Sequence, residues 1–200
     1  TEWTNVVKAR PRFRRHYQPH LPADLGFYDL RLPQTREAQA DMAREYGIHG
    51  FCYYHYWFSG KRLLEEPLDG VIASGRPDFP FCICWANENW TRSWDGFSRQ
   101  VLMAQQYSAE DDLAHIRHLL PVLGDRRYIR VEGHPLVLVY RVELLPDPKR
   151  TAEIWRSAAM RMGFGDLFLV NVQGPQTLHP SDPEAVGFNA ALRFQPHILG

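Results

Sequence analysis

Residues 84–96 read CWANENWTRSWDG and concentrate three tryptophans, two asparagines, a glutamate, an arginine and an aspartate directly after an apolar run. Indole faces stack on the C–H faces of sugars, while amide, carboxylate and guanidinium groups hydrogen-bond sugar hydroxyls in pairs. Trp85, Asn87, Asn89, Trp90, Arg92, Trp94 and Asp95 are therefore candidate glycan contacts. Glu88 is the candidate acid/base or auxiliary carboxylate, because desolvation between tryptophans raises a carboxyl pKa towards that of a proton donor. The competing account is a buried polar network that shapes its own loop, with the indoles as core and Glu88 tied to Arg92. A second cluster, Tyr53-Tyr54-His55-Tyr56-Trp57, closes another apolar run. Strand alternation sends Tyr53, His55 and Trp57 to one face and Tyr54 and Tyr56 to the other, so only one set can meet a ligand. His55 reads either as a hydrogen-bonded structural ring or as a catalyst. Trp3 and Asn5 form a third candidate cluster, of the kind found at strand ends, and Arg141 is a candidate binding residue from its place just after PLVLVY. His115 and His118 share a helix flank but lack a third ligand, so no metal and no cofactor are expected.

The elements that must position these residues are legible as alternating patterns. Apolar runs over 47–57, 78–87, 135–141, 166–173 and 188–194 have the length of buried strands, and several are apolar on both faces, as parallel strands are. Between them lie helical stripes. One covers 34–46 after Pro33, with Gly47 as its cap, and another runs through Leu63, Leu64, Leu68, Val71 and Ile72, with Pro67 interrupting or restarting it. Ser108 and Asp111 resemble a capping box ahead of Leu113, Ile116 and Leu120, and a last stripe from Ile154 to Met162 ends at Gly163. Strand–helix alternation predicts parallel βα units, and the absence of a glycine-rich phosphate loop after any strand disfavours nucleotide-binding sheets. Polar and aromatic clusters after several different strands are the habit of a (β/α)8 TIM barrel. Five strands instead of eight predict an incomplete barrel within one α/β domain covering residues 1–200.

Composition narrows the classes. The 200 residues carry 23 basic and 23 acidic side chains, 44% hydrophobic and 13% aromatic residues. Charge balance disfavours a nucleic-acid binder, and no apolar run approaches the ~20 residues of a transmembrane segment. Cys52, Cys82 and Cys84 all lie in strand-like runs and match no redox or zinc spacing, so they are expected as buried, reduced packing residues, which favours a reducing compartment.

Three long stretches, TEWTNVVKARPRFRRHYQPHLPADLGFYDLRLP, YGIHGFCYYHYWFSGKRLLEEPLD and PDFPFCICWANENWTRSWDG, together with RYIRVEGHPLVLVYRVELLPDPKRT, resemble the WbsX-type family, also described as a glycoside hydrolase family 99-like domain. The resemblance covers nearly the whole chain. It implies a (β/α)8 barrel acting on glycosidic bonds of bacterial surface polysaccharide such as lipopolysaccharide O-antigen, as a glycosyltransferase or glycoside hydrolase. The implied partner is a glycan or sugar-donor substrate, and the implied location is the bacterial cytoplasm, in association with cell-envelope polysaccharide assembly. It also implies a strand before TEWTN and a late N-E-W-x-E-G carboxylate motif, neither present here, so the chain is expected to hold about strands 2–6 of the barrel and to be truncated at both ends. Glu88 then becomes an auxiliary or substrate-contacting acid. The alternative is a non-catalytic glycan-binding module that keeps the aromatic platform.

Overall fold

The computed structural model describes residues 2–92, 97–174, 177 and 181–194. Helix α1 (Glu2–Lys8) opens the chain, and α2 (Pro33–Glu45) begins on Pro33, whose missing N–H is no loss in a first turn. It ends where Gly47 takes a left-handed φ of 74° and Ile48 N–H closes back on the Ala43 carbonyl at 2.8 Å. Strand β1 (Phe51–Phe58) follows and folds back at its far end into the short β2 (Lys61–Leu63). Helix α3 (Glu66–Ser74) carries Pro67 in its first turn, so this proline starts the helix, and Leu63 belongs to the hairpin.

The next units repeat the pattern. Strand β3 (Phe81–Trp85) is buried at every position and leads into a hairpin of β4 (Trp90–Arg92) and β5 (Phe97–Met103). Helix α4 (Ala109–Leu123) is capped by Ser108, whose hydroxyl accepts from Asp111 N–H at 3.1 Å. After the two-residue β6 (Arg130–Val131) comes β7 (His134–Val139), then α5 (Pro148–Arg161), capped by the Asp147 side chain at 3.0 Å from Arg150 N–H. Strands β8 (Phe168–Gln173) and β9 (Ala190–Arg193) complete the order.

Strands β1, β3, β7, β8 and β9 are parallel, and each pairs with the one before it in the series. All five correspond to the predicted apolar runs. Sequential order means that the sheet never reverses direction of growth, unlike a doubly wound sheet with its switch point. The chain is thus mixed α/β with a mostly parallel sheet, which is the expected class in its coarser form.

The two faces of that sheet differ. Phe81, Ile83 and Trp85 of β3, with Val137 and Val139 of β7 and Leu169 of β8, are wholly buried and belong to one core with Ile116, Leu119, Leu120 and Leu123 of α4 and Trp155 of α5. Trp85 and Trp155 meet at 5.6 Å between ring centroids. The alternate residues point the other way and form a second face, on which Tyr54, Leu192 and Phe194 are exposed. The opening segment is a separate matter: Glu2–Lys8 is helical, and the Trp3 indole N–H donates to the Tyr28 carbonyl at 3.0 Å with its ring edge-on to Phe27 and Tyr28. Trp3 therefore anchors α1 to residues 27–28, and Asn5 is exposed on that helix.

Candidate functional site at the strand ends

Alternation along β1 decides which aromatic set can reach a ligand. His55 and Trp57 stack on His115 of α4, at 5.1 and 4.9 Å between centroids, so this face of β1 looks into the helix layer. Trp57 also donates its indole N–H to Asp111, at 3.0 and 3.1 Å from the two carboxylate oxygens, and His55 Nε2 lies 3.0 Å from His115 Nε2. Burial pushes the His55 pKa down to about 3, with the nearby His118 and Arg62 acting against a further proton, and holds His115 well below the usual histidine range. Both rings are neutral at pH 7. The three histidines His55, His115 and His118 stack with nearly parallel planes, and among the described residues no group of His, Cys, Asp or Glu has the arrangement to hold a metal. His55, Trp57 and the 1%-exposed Trp85 are thus corrected from ligand contacts to core, because their faces are filled by α4 and α5.

The opposite set stays open. Tyr56 meets Trp90 edge-on at 5.0 Å and neighbours Tyr54 at 6.3 Å; Tyr54 meets Tyr140 at 5.8 Å, and Tyr140 meets Phe194 at 6.0 Å. Five rings drawn from β1, β4 and the ends of β7 and β9 thereby form a continuous arc across the carboxyl ends of the sheet. Tyr54 is 44% exposed and Phe194 37%, so the arc presents ring area to solvent. Desolvation raises the Tyr54 and Tyr140 pKa values, so both phenols are protonated hydrogen-bond donors.

A charged triad borders the arc. Arg141, with its side chain 16% exposed, sits between two carboxylates: Nη1 donates to Glu88 Oε1, and Nε donates to Glu143 Oε1 at 2.5 Å. Glu88 therefore pairs across the strand ends with Arg141, while Arg92 Nη1 reaches Gln100 at 3.4 Å. The backbone of Arg141 is gripped as well. Asn87, fully buried, accepts from Arg141 N–H at 2.8 Å and donates to its carbonyl at 2.7 Å, and the Tyr107 hydroxyl donates to the Asn87 carbonyl at 2.6 Å. Asn87 is corrected from glycan contact to the clamp that fixes the β3 and β7 ends together, since both of its polar groups are spent on backbone. Asn89 is exposed, and its side chain accepts from Gln105 N–H at 2.8 Å, which pins the base of the β4–β5 hairpin. Trp94 and Asp95, both expected contacts, lie outside the described residues.

Glu143, Tyr140 and Phe194 were not singled out from the sequence. Tyr140 adjoins Arg141 and Phe194 closes the last apolar run, so the position after a strand was a usable signal for both. Glu143 carried none, because its role depends on a one-turn 3-10 helix over Val142–Leu144 that folds it back on Arg141.

A model of the family described as glycosyltransferase WbsX matches residues 1–199, and the chain belongs to that family. It is 48% identical over 198 residues to the uncharacterized protein WxcX of two strains of Xanthomonas campestris pv. campestris, covering 99% of this chain and 28% of those proteins. The chain thus spans little more than a quarter of the length of those relatives. Among solved structures it is similar in fold to the GH99 endo-alpha-mannosidase from Bacteroides thetaiotaomicron, with a TM-score of 0.57 at 13% identity, over 86% of this chain and 46% of that one. A structure described as a glycoside hydrolase-like protein gives a TM-score of 0.56 at 15% identity, over 87% and 53%. Family and fold together suggest a carbohydrate-active enzyme domain. Among the described residues no helix is long and apolar enough to cross a membrane.

Proposed function

We propose that this chain is the glycan-binding part of a carbohydrate-active enzyme that makes or breaks glycosidic bonds of bacterial surface polysaccharide, and that its five parallel strands are about strands 2–6 of a (β/α)8 barrel. The observation that carries the reading is the aromatic arc from Trp90 to Phe194 bordered by Glu88, Arg141 and Glu143. Aromatic rings of this kind stack on sugar C–H faces, and exposed carboxylate oxygens accept sugar hydroxyls. The sequential strand order and the fold likeness support the barrel, whose sites lie at the carboxyl ends of its strands.

Glu88 acts here as a hydroxyl acceptor. Its Oε1 accepts from Arg141 Nη1, and the side chain remains part-exposed at the rim, where it can also accept from a sugar hydroxyl. The same pairing favours a second reading, in which this chain binds glycan without doing chemistry and the reacting carboxylates belong to other parts of the longer protein. Glu88→Gln in the full-length protein distinguishes the roles. The expected result is a rise in KM of roughly tenfold with kcat changed by less than about threefold. A fall in kcat of about 10²-fold or more would make Glu88 the acid/base instead, and kinetics identical to the parent would remove it from the site.

Trp90→Ala tests the arc. Glycan binding followed by titration calorimetry against surface polysaccharide fragments is expected to weaken by about 1 kcal/mol, roughly fivefold, while the unfolding midpoint moves little, because Trp90 is only half-buried. A collapse of the fold with unchanged binding in the surviving protein would make Trp90 a core residue.

A further inference from the structure

Between Glu2 and Asp24 the chain holds five cations, Lys8, Arg10, Arg12, Arg14 and Arg15, and no acidic residue. All five are exposed, and none of their side chains forms an ion pair or hydrogen bond among the described residues. Other arginines behave differently: Arg31, Arg44, Arg62, Arg127 and Arg141 each pair with a carboxylate. Five like charges so close in the chain repel one another, and a bound anion would relieve them. The segment is also shaped. His16 N–H donates to the Phe13 carbonyl and Arg12 N–H to His16 Nδ1, both at 3.1 Å, and the Phe13 ring stacks on His16 at 4.5 Å. That closed turn gathers Arg12, Arg14 and Arg15 within five residues. Phe13 and Tyr17 stay 68% and 70% exposed, so two rings lie among the cations.

Both ends of the segment are fixed at the carboxyl end of the sheet. The Trp3 indole holds α1 to Tyr28, and Arg36 Nη1 donates to the Leu30 and Arg31 carbonyls at 2.9 and 2.7 Å. Arg31 lies 3.9 Å from Glu66, the first residue of α3. Helices α2 and α3 both start at this end: the short turn over 46–50 reverses α2 into β1, and parallel pairing of β1 with β3 requires α3 to run back between them. Barrel closure would add strands beside β1 and β9 and cover the inner face of the sheet. A loop beyond the strand ends stays on the open face where barrel sites lie.

We propose that residues 8–17 form a subsite for an acidic polysaccharide, whose carboxylates pair with the arginines and whose sugar faces stack on Phe13 and Tyr17. The inference rests on the glycan-binding role proposed above and names the glycan as anionic. A guanidinium fork meets a carboxylate through two parallel hydrogen bonds, and interleaved rings suit a ligand that alternates charge with C–H faces. The spread of the charge favours a polymer over a small phosphate compound. Phosphate cradles surround their ion with converging backbone N–H groups, whereas these cations are all exposed and strung along the chain. Exposed charges act by summed attraction, which grows as charges repeat along the ligand. A nucleic acid also repeats its charge, but the chain as a whole has 23 basic and 23 acidic residues and no basic excess. At the rim, Glu88 and Glu143 outnumber Arg141, so an acidic sugar unit is steered away from the triad and towards the segment.

The test titrates the full-length protein by calorimetry with oligogalacturonate and with its methyl ester, which keeps the sugar chain and removes the charge. The acid form is expected to bind about tenfold more tightly at about 50 mM salt and to lose most of that advantage by about 200 mM. The triple variant Arg10→Gln, Arg12→Gln, Arg14→Gln should bind the two forms equally. Its unfolding midpoint should not move, since all three side chains are exposed. Equal affinity for acid and ester in the parent, or an unchanged preference in the triple variant, would overturn the subsite. Tighter binding of a nucleoside diphosphate, or of single-stranded RNA of equal charge, would overturn it too, by making the segment a phosphate or nucleic-acid site. Trp90→Ala should keep the preference for the acid form, because the ratio of the two affinities reports the segment. A parent that binds neither form also overturns the subsite, while Trp90→Ala against neutral polysaccharide fragments tests the arc independently.

Discussion

Acidification from pH 6.5 to 5 is expected to cost the chain about 3 kcal/mol of folding stability, well before most carboxylates titrate. The cause is the neutral His55–His115 pair sealed between β1 and α4, with Trp57, Trp85 and Trp155 around it. Desolvation holds His55 at about 3 and His115 well below its ordinary value, and in an unfolded chain both would titrate near 6.5. Below pH 6.5 the unfolded state therefore binds more protons than the folded state, and stability falls as pH falls. Each excluded proton contributes up to about 1.4 kcal/mol per pH unit, a slope reached only well below pH 6.5, so the two rings together lose about 3 kcal/mol across this window. His118, also depressed by burial first and then by Arg62, acts in the same direction, and Asp69 opposes it. Urea unfolding at several pH values checks the slope. Replacing His115 with glutamine should roughly halve it between pH 6.5 and 5, whatever happens to absolute stability. A parent curve that is flat across that window would mean that the pair is not buried as a neutral unit.

Asn87→Ala should be the most damaging single substitution at the strand ends, with a loss of about 3 kcal/mol of stability. The side chain bridges both backbone groups of Arg141 just where the β3 and β7 ladders part, beyond the last main-chain bond from Tyr140 N–H to the Trp85 carbonyl at 3.0 Å. Alanine leaves a buried N–H and a buried carbonyl unpaired, at roughly 1–3 kcal/mol each. Asn87→Asp should be no milder, since it sets an acceptor against the Arg141 carbonyl and buries a charge. Loosening Arg141 also releases Glu88 and Glu143, so glycan affinity should fall together with stability, which Trp90→Ala would not do. A stability loss under about 1 kcal/mol, by denaturant unfolding, would show that the clamp is dispensable.

Much of the frame is readable without coordinates. A strand covered by helices is apolar on both sides, so DFPFCICW and PLVLVY announce themselves, and Ser108 with Asp111 marks the start of α4 through chemistry local to four residues. The same locality explains why Gly47 and Gly163, both left-handed, end helices where expected. Period-two alternation also divides 53–57 into two sets without a structure. The sequence by itself determined a parallel α/β frame, the place of the polar and aromatic residues at strand ends, and the family. Only the tertiary structure decided which set faces α4 and which faces the arc, because both faces of β1 are equally aromatic and helix placement breaks the tie. It also decided that Asn87 is a clamp while Glu88 belongs to the rim, that Arg141 joins two carboxylates, and that Cys52 meets Cys82. Apart from the local Arg141–Glu143 pair, those outcomes depend on contacts between residues tens of positions apart, and no local pattern encodes the register that brings them together.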